Sequence, residues 1–598
     1  MDLQQATLPS WSANTDPLAP VLTLDRVDKG FVVEKKRIAA LSGVSCAIQP
    51  GRVTGLIGPD AAGKTTLMRL CAGLLLPDRG TVQVLGIDVA RNPLEVQAQI
   101  GYMPQRFGLY EDLSVRENLD LYADLQGVPI NKRNERYQQL LAMAGLEGFQ
   151  RRLAGRLSGG MKQKLGLVCA LVQPPRLLLL DEPTVGVDPV SRRELWQIVY
   201  HLVKAESMSV LLSTAYLDEA ERCAEVVLIH GGRILGHDDP KNFSRQVAGR
   251  TWLIRAPMLA KRALQRELSR DPAVLDALVL GTSVRVVSRD RNPLTLAALS
   301  VPAGAEVLPV TPRFEDYFVA TLKDQTAGRE NSRIALATLT NRGGGEEVIT
   351  VDHLVRRFGT FCAVDQVSFR VRSGEIFGLL GANGAGKTTT FRMLCGLLPI
   401  TSGTCTVAGL NLRTAAAAAR GHIGYMAQKF SLYGNLTVRQ NLRFFSSAYG
   451  LHGQRRRRQI DWALATFDLA PYADTEGQDL PLGFKQRLAL AVALMHEPEV
   501  LFLDEPTSGV DPLARRDFWT QINSLADQGV TVLVTTHFME EAEYCDRLVI
   551  MADGRVLAEG TPEEMKNQKN GGAPGSEATM EDAFISLLQD HQSTGTLP

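Results

Sequence analysis

What this chain lacks narrows its possible classes before any motif is read. It has no charge imbalance: 65 basic and 65 acidic residues leave a formal net charge of zero over 598 residues. Nothing global therefore points to nucleic acid or an anionic membrane surface as partner. It has no long hydrophobic run either. Its apolar stretches, such as Leu177 to Leu180, stop far short of the ~20 residues a membrane helix needs. The opening MDLQQATLPSWSANTDP lacks the charged and apolar regions of a signal peptide. The eight cysteines (46, 71, 169, 223, 362, 395, 405 and 545) form no CxxC pair and have no histidine at metal-ligand spacing. They read as reduced core thiols, not as disulfides or a zinc site. These absences imply a cytosolic protein, and its length is too great for a single core.

What is present is a duplication. Lys64 and Lys387 stand 323 residues apart, as do Gln105 (YMPQ) and Gln428 (YMAQ), and Asp181 (LLLLD) and Asp504 (VLFLD). The LSGGMKQ beginning at Leu157 and the LPLGFKQ beginning at Leu480 keep the same interval. Repetition at one register means two copies of one domain. The copies are unequal. TTHFMEEAE of the second half contains His537, where STAYLDEAE of the first half contains Ala215.

In the second half, EIFGLLGANGAGKTTT runs from a strand-like stretch through Gly381, Asn383, Gly384, Gly386, Lys387, Thr388 and Thr389 into a helix-compatible segment. That is a phosphate loop in its required context, strand before and helix after. Glycines let backbone amides fold inward around phosphate oxygens, and the helix start adds a favourable dipole. Lys387 then meets the outer phosphates and Thr388 can hold magnesium. The first half, VTGLIGPDAAGKTT, keeps Gly58, Gly63, Lys64, Thr65 and Thr66 but has Asp60 and Ala61 for Asn383 and Gly384. Each lysine is followed 117 residues later by an aspartate that ends four apolar residues and opens Asp-Glu-Pro-Thr. Such a run reads as a buried parallel strand whose C-terminal edge faces the nucleotide. Asp181 and Asp504 are then the magnesium candidates, and Glu182 and Glu505 are placed to polarise an attacking water.

These residues resemble the ATP-binding cassette (ABC) family over roughly 22–240 and 348–566. The specific mark is LSGGMKQ at 157–163, which generic phosphate-loop ATPases lack; VGVD (185–188), SGVD (508–511), Gln105, Gln428 and His537 match as well. The resemblance implies an α/β fold with two P-loop NTPase domains, each carrying a helical subdomain, and ATP and Mg2+ as cofactors. It also implies head-to-tail pairing, with ATP between the phosphate loop of one cassette and the signature of the other. Ser158, Gly159 and Gly160 would meet the γ-phosphate with helix-start amides. Gln105 and Gln428 would join Thr65, Thr388 and Asp504 around magnesium. Gln428 and His537 would act with Glu505 in hydrolysis, and Phe31 and Phe358 would stack on adenine.

Under that pairing every defect falls on one site. Site one joins Lys64, Asp181 and Glu182 to the second signature, where Pro481 and Leu482 replace the equivalents of Ser158 and Gly159. Proline has no amide to donate, and leucine is bulky where backbone must approach phosphate. Ala215 leaves the same site without its histidine. Site two joins Lys387, Thr388, Gln428, Asp504, Glu505 and His537 to Ser158, Gly159 and Gly160, and is complete. Hydrolysis is expected at site two and holding of ATP at site one.

The expected division is a first ABC ATPase domain at 20–240, an α+β appendage at 241–324, a linker at 325–346, a second ABC ATPase domain at 347–566, and a flexible tail at 567–598 with the short helix MEDAFISLL. In the appendage, RTWLIRAP and LVLGTSVRVVSR look strand-like around the amphipathic MLAKRALQRELSRD. Appendages ending in RFEDYF and MEDAF resemble those of type-2 ABC exporter ATPase subunits. That resemblance implies efflux of drugs or other hydrophobic compounds through two separate integral-membrane permeases. Membrane contact would come only through them, at the cytoplasmic face of the inner membrane, with no nucleic acid partner. Tyr110, Glu111 and Tyr433 are the permease-contact candidates, and Arg455–Arg458 reads as a solvated face. The alternative is a soluble tandem cassette protein acting on ribosomes. Such proteins generally keep two intact signatures and a long charged helical arm between the halves. Here one signature is lost and the inter-half segment holds strands and prolines. A DNA-repair cassette protein would want zinc modules or long coiled coils, and neither is seen.

Overall fold

The fully apolar stretches of both halves become the central strands of two matching sheets. The computed structural model describes residues 19–33, 36–105, 108–292, 294, 304–325, 346–428, 430–567 and 579–594. In the first half the six-stranded sheet runs Arg233–Asp238, Glu225–His230, Val53–Ile57, Ser209–Thr214, Leu177–Asp181, Ile100–Met103. All neighbours are parallel except the first pair. In the second half the order is Ile423–Met426, Val500–Asp504, Thr531–Thr536, Ile376–Gly381, Arg547–Ala552, Arg555–Gly560. Strands Val53–Ile57, Leu177–Asp181 and Ser209–Thr214 are buried at every residue, as a parallel sheet covered on both faces demands. Because these three are neighbours, their C-terminal ends bring Gly58, Asp181, Glu182 and Ala215 to one edge, where ligands bind in open α/β sheets. The second half repeats this with Gly381, Asp504, Glu505 and His537.

A four-stranded antiparallel sheet adjoins each core, built in the first half from Lys36–Ile48, Leu22–Val33, Arg79–Val84 and Ile87–Asp88. The helical subdomains open on Val115–Leu125 and Val438–Ala448. Each starts with a reciprocal capping box, Ser114 with Glu117 and Thr437 with Gln440. The signature helices Gly159–Ala170 and Leu482–Leu494 follow.

After the helix Pro240–Gln246, an antiparallel sheet forms in the order Val274–Leu280, Ser283–Ser288, Thr251–Arg255, Glu306–Pro309, with the helix Lys261–Leu268 against it. This unit bridges the halves. Its helix leans on the second half, where Lys261 Nζ donates to Glu543 O at 3.1 Å and Arg262 pairs with Asp546 at 2.7 Å. The next helix, Phe314–Gln325, buries Phe314, Phe318, Val319 and Leu322 in the first half's core. The segment expected as linker, 325–346, lies outside the described residues except for its two end positions. The C-terminal helix is longer than MEDAFISLL, running Met580–Thr594, and it is docked instead of loose. Met580, Phe584, Ile585 and Leu588 recur on one helical face and pack on Leu380, Met539, Leu548 and Ile550. Residues 568–578 and 595–598 lie outside the described residues. Among the described residues no helix is long and apolar enough to cross a membrane.

Candidate functional site

Each phosphate loop closes on a glycine that tolerates no side chain. Gly63 (φ 106°) and Gly386 (φ 97°) are left-handed. A Cβ added there would stand 2.6 Å from Ala40 O or 2.7 Å from Ala363 O. Ala61 (φ 60°) occupies the left-handed place that Gly384 (φ 87°) holds in the other loop, a conformation that costs alanine roughly 1–2 kcal/mol. Beyond the loops start the helices Lys64–Cys71 and Lys387–Leu394, which carry Thr65, Thr66, Thr388 and Thr389 in their first turns. Both lysines curl under their own loops. Lys64 Nζ donates to Gly58 O (2.8 Å) and Pro59 O (3.1 Å), and Lys387 Nζ to Gly381 O (2.7 Å) and Ala382 O (3.0 Å). Burial holds the Lys387 ammonium below the usual lysine range, against the pull of Glu505, Asp188 and Asp504.

The carboxylates are fixed from the neighbouring strand. Ser213 Oγ donates to Asp181 Oδ1 (2.6 Å) and Thr535 Oγ1 to Asp504 Oδ1 (2.6 Å), while the same hydroxyls accept from Glu182 N and Glu505 N, both at 3.0 Å. That grip holds Glu182 (φ 51°) and Glu505 (φ 46°) in left-handed backbone, a strain of about 1–3 kcal/mol each of the kind stored at functional sites. Gln105 donates to Glu182, and Gln428 Nε2 donates to Glu505 Oε2 at 2.7 Å. His537 Nδ1 lies 3.1 Å from Glu505 Oε2. Burial pushes the Glu505 carboxyl up, but His537, Lys387 and Gln428 together outweigh it and hold the group below the usual carboxylate range. In the first half Ala215 offers no such partner, and Glu182 pairs instead with Lys64 at 3.3 Å.

The donor set fits magnesium. Asp181 Oδ2 is buried without a hydrogen-bond partner among the described residues, and Thr65 Oγ1 sits 3.3 Å from Asp181 Oδ1. A lone carboxylate oxygen beside a hydroxyl suits an ion that takes one or two carboxylates and completes its shell with substrate phosphates. Burial, reinforced by Glu505, raises the Asp504 carboxyl above its usual range, a charge cost that a cation would relieve.

The halves meet across these loops. Asn383 Nδ2 donates to Gly186 O of the first half at 3.4 Å, and a Cβ added at Gly159 would lie 3.9 Å from the same nitrogen. Ser158 caps the helix Gly159–Ala170, accepting from Met161 N at 3.3 Å, and Gly160 leaves room for Ser191, whose Oγ an added Cβ would approach to 2.5 Å. The first signature thus faces the second phosphate loop. At the opposite end of the interface, Asp60 of the first loop faces Asp511 and Arg515 of the second half. There the helix Leu482–Leu494 begins on Pro481 with no side-chain cap. Leu482 is 40% exposed, with its Cδ2 beside Gly509. Phe31 and Phe358 stand exposed on hairpin ends, beside Lys29 and Arg356, with Arg356 4.5 Å above the Phe358 ring. Tyr110 and Tyr433 are also exposed, whereas Glu111 pairs with Lys162 of the signature helix at 2.7 Å. Arg455 lies on the helix Gly453–Thr466, 3.5 Å from Glu497. A cavity of about 500 Å³ is lined by Arg69, Leu74, Leu75, Tyr102, Pro104 and Tyr122.

Three groups escaped the sequence reading. Ser213 and Thr535 grip the carboxylates; the only signal was a hydroxyl residue two places before Ala215 and His537. Tyr216 and Phe538 form an aromatic pair across the halves at 5.4 Å. Asp60 is the third: the loop motif shows an acid in place of Asn383, but not that burial and Asp511 of the second half raise its carboxyl.

A family model described as "ABC transporter" matches residues 41–185 and 364–508. The chain belongs to the ABC transporter family as an ATP-binding, ATP-hydrolysing protein with two cassettes. Its likeness to one relative spans nearly the whole chain. The "Probable multidrug ABC transporter ATP-binding protein YbhF" of Escherichia coli (strain K12) is 51% identical over 574 residues, 95% of this chain and 98% of that protein. The "Nod factor export ATP-binding protein I" of Burkholderia orbicola (strain AU 1054) is 45% identical over 208 residues, 35% of this chain and 68% of its own. A solved "ATP binding subunit of ABC transporter" is 29% identical and covers 40% of this chain and 99% of its own, with a TM-score of 0.37. The ribosome-directed alternative draws no support from these relatives.

Proposed function

We propose that this chain powers export of drugs or other hydrophobic compounds through two separate integral-membrane permeases, from the cytoplasmic face of the membrane. ATP is hydrolysed at site two and held at site one. The observation that carries the asymmetry is that Asn383 of the intact loop donates to Gly186 O in VGVD of the first half, with Gly159 of the intact signature beside the same amide. The only histidine of the pair, His537, stands on the same side, 3.1 Å from Glu505.

Thr388, Gln428 and Asp504 would hold magnesium at site two, with Thr65, Gln105 and Asp181 their counterparts at site one. Magnesium held there would offset the charge of the phosphates. Glu505 stays ionised at neutral pH and polarises the attacking water, which the Gln428 amide helps orient. Lys387 leaves its own loop carbonyls for the outer phosphates. Ser158 and the amides at Gly159 and Gly160 reach the γ-phosphate from the other side. Site one lacks two of these groups. Each missing donor to a transition state costs ~3 kcal/mol, or ~10²-fold in rate, so site one turns over slowly if at all. ATP binding closes the halves, and hydrolysis at site two releases them. The cavity lined by Tyr102 and Tyr122, between core and helical subdomain, suits an inserted permease helix. The exporter relatives support this reading.

The test compares ATPase turnover of Glu505→Gln and Glu182→Gln in the full chain with its membrane partners. Turnover should fall at least ~10²-fold in the first and stay within about twofold in the second. Equal losses would sink the asymmetry.

A further inference from the structure

His537 is held in an unusual way. A histidine that works through one ring nitrogen is ordinarily oriented by a hydrogen bond at the other. Nε2 of His537 has no hydrogen-bond partner among the described residues and Nδ1 meets only the Glu505 carboxylate, 3.1 Å away, although the side chain is 1% exposed. Its orientation must come from packing and from the Glu505 carboxylate beside Nδ1. The packing group is Phe538, whose ring centroid lies 4.1 Å from the imidazole.

Phe538 is in turn backed from the other half of the chain. The Tyr216 ring stands 5.4 Å from it, tilted by 48°. The Arg515 guanidinium lies over both rings, 4.8 Å from Phe538 and 5.5 Å from Tyr216. Both aromatic side chains are buried. Tyr216 immediately follows Ala215, so the half that lost its own histidine still presents a ring, and that ring faces the histidine of the other half. The Tyr216 hydroxyl is buried without a partner among the described residues, so it adds nothing to this support. The useful part of Tyr216 is its ring.

We infer that Tyr216 is a positioning residue for hydrolysis at site two: across the interface it backs Phe538, which sets the imidazole of His537 against Glu505. The inference rests on the reading of site two as the hydrolytic one. It gives the first half a second contribution to that site, besides its signature, and a direct route by which closure of the halves aligns His537. Open halves would part the rings, and His537 would lose its backing.

The experiment measures steady-state ATPase of the full-length chain. Tyr216→Ala should lower kcat about tenfold with KM for ATP changed less than twofold, whereas Tyr216→Phe should keep kcat within twofold. In a His537→Ala background, Tyr216→Ala should cost nothing further, because the group it positions is gone. Should Tyr216→Ala fail to fold, Phe538→Leu removes the stack from the other side and is expected to give the same kcat loss. A full additional loss in the His537→Ala background would overturn the proposal, since it would report general damage. A silent Tyr216→Ala beside an inactive Glu505→Gln overturns the positioning role alone. A Glu505→Gln that keeps its turnover overturns the reading of site two along with it.

Discussion

Asp60 puts a carboxyl into the first phosphate loop where the second carries the amide of Asn383. Burial is the main reason its carboxyl is pushed up to about 7, with Asp511 and Glu182 adding and Lys64 and Arg515 opposing. In the unfolded chain an aspartate titrates near 3.9. A raised folded value means the native state prefers the protonated form. Its contribution to stability is therefore full below about pH 4, falls as pH rises, and is lost above about pH 7. Asp60→Asn cannot ionise, so its advantage in melting temperature over the parent should be small at pH 5 and reach a few degrees at pH 8. Thermal unfolding of the nucleotide-free chain at both pH values checks this; an equal advantage at both would show that Asp60 stays ionised in the fold. Residues of this kind divide by how much of their chemistry is local. Ala215, Pro481 and Leu482 were legible because each sits in a motif that names the missing group. Ser213 and Tyr216 were not. Ser213 acts on Asp181, 32 residues away, only because two parallel strands are neighbours, and strand order is not written in either strand.

The two signature helices show what one element loses when its start is altered. Gly159–Ala170 begins on a serine that caps its first turn, and Leu482–Leu494 on a proline that cannot. Replacing Pro481 by Ser and Leu482 by Gly should restore a cap contributing about 1 kcal/mol and clear the approach to phosphate. With Ala215→His added, site one regains both kinds of donor. In a Glu505→Gln background, this triple restoration should raise turnover at least tenfold above Glu505→Gln alone. No gain would mean that Asp60 and the strained Ala61 suffice to keep site one idle. Elements as such were readable: RTWLIRAP contains the strand Thr251–Arg255, LVLGTSVRVVSR runs through the turn between Val274–Leu280 and Ser283–Ser288, and the amphipathic MLAKRALQRELSRD contains the helix Lys261–Leu268. Docking was not, because periodicity says that a face is buried and not what buries it. The C-terminal helix was underestimated for that reason. Its partner surface comes from strands of the second sheet and from Met539, far off in sequence.

The duplication at one register made the pair of cassettes plain at the scale of the whole molecule; how the pair is held together needed the structure. Each half ends in a helix that packs on its own core and sends an acid to the other half. Glu315 reaches Arg516 at 2.5 Å, and Glu581 reaches Arg192 at 3.1 Å. Asp276 of the appendage also pairs with Arg516, and Asp582 with Arg193 at 3.5 Å. The Arg516 and Arg192 side chains are only 10% and 14% exposed; removing Glu315 leaves Arg516 with Asp276 alone, and removing Glu581 leaves Arg192 with Asp218. None of these contacts involves a nucleotide. The halves are therefore strapped at the ends of the chain's own helices, and ATP acts on a joint that already exists. On the cycle proposed above, opening after hydrolysis would be a hinge motion about the straps. In solution scattering the parent chain should contract only slightly when Mg-ATP is added, because the straps keep the open halves close together. A Glu315→Gln, Glu581→Gln double variant should expand without nucleotide and contract to the parent value when Mg-ATP is added. A double variant that stays as small as the parent without nucleotide would assign the joint to the appendage, through Lys261 and Arg262, and leave the crossing acids a minor part in it.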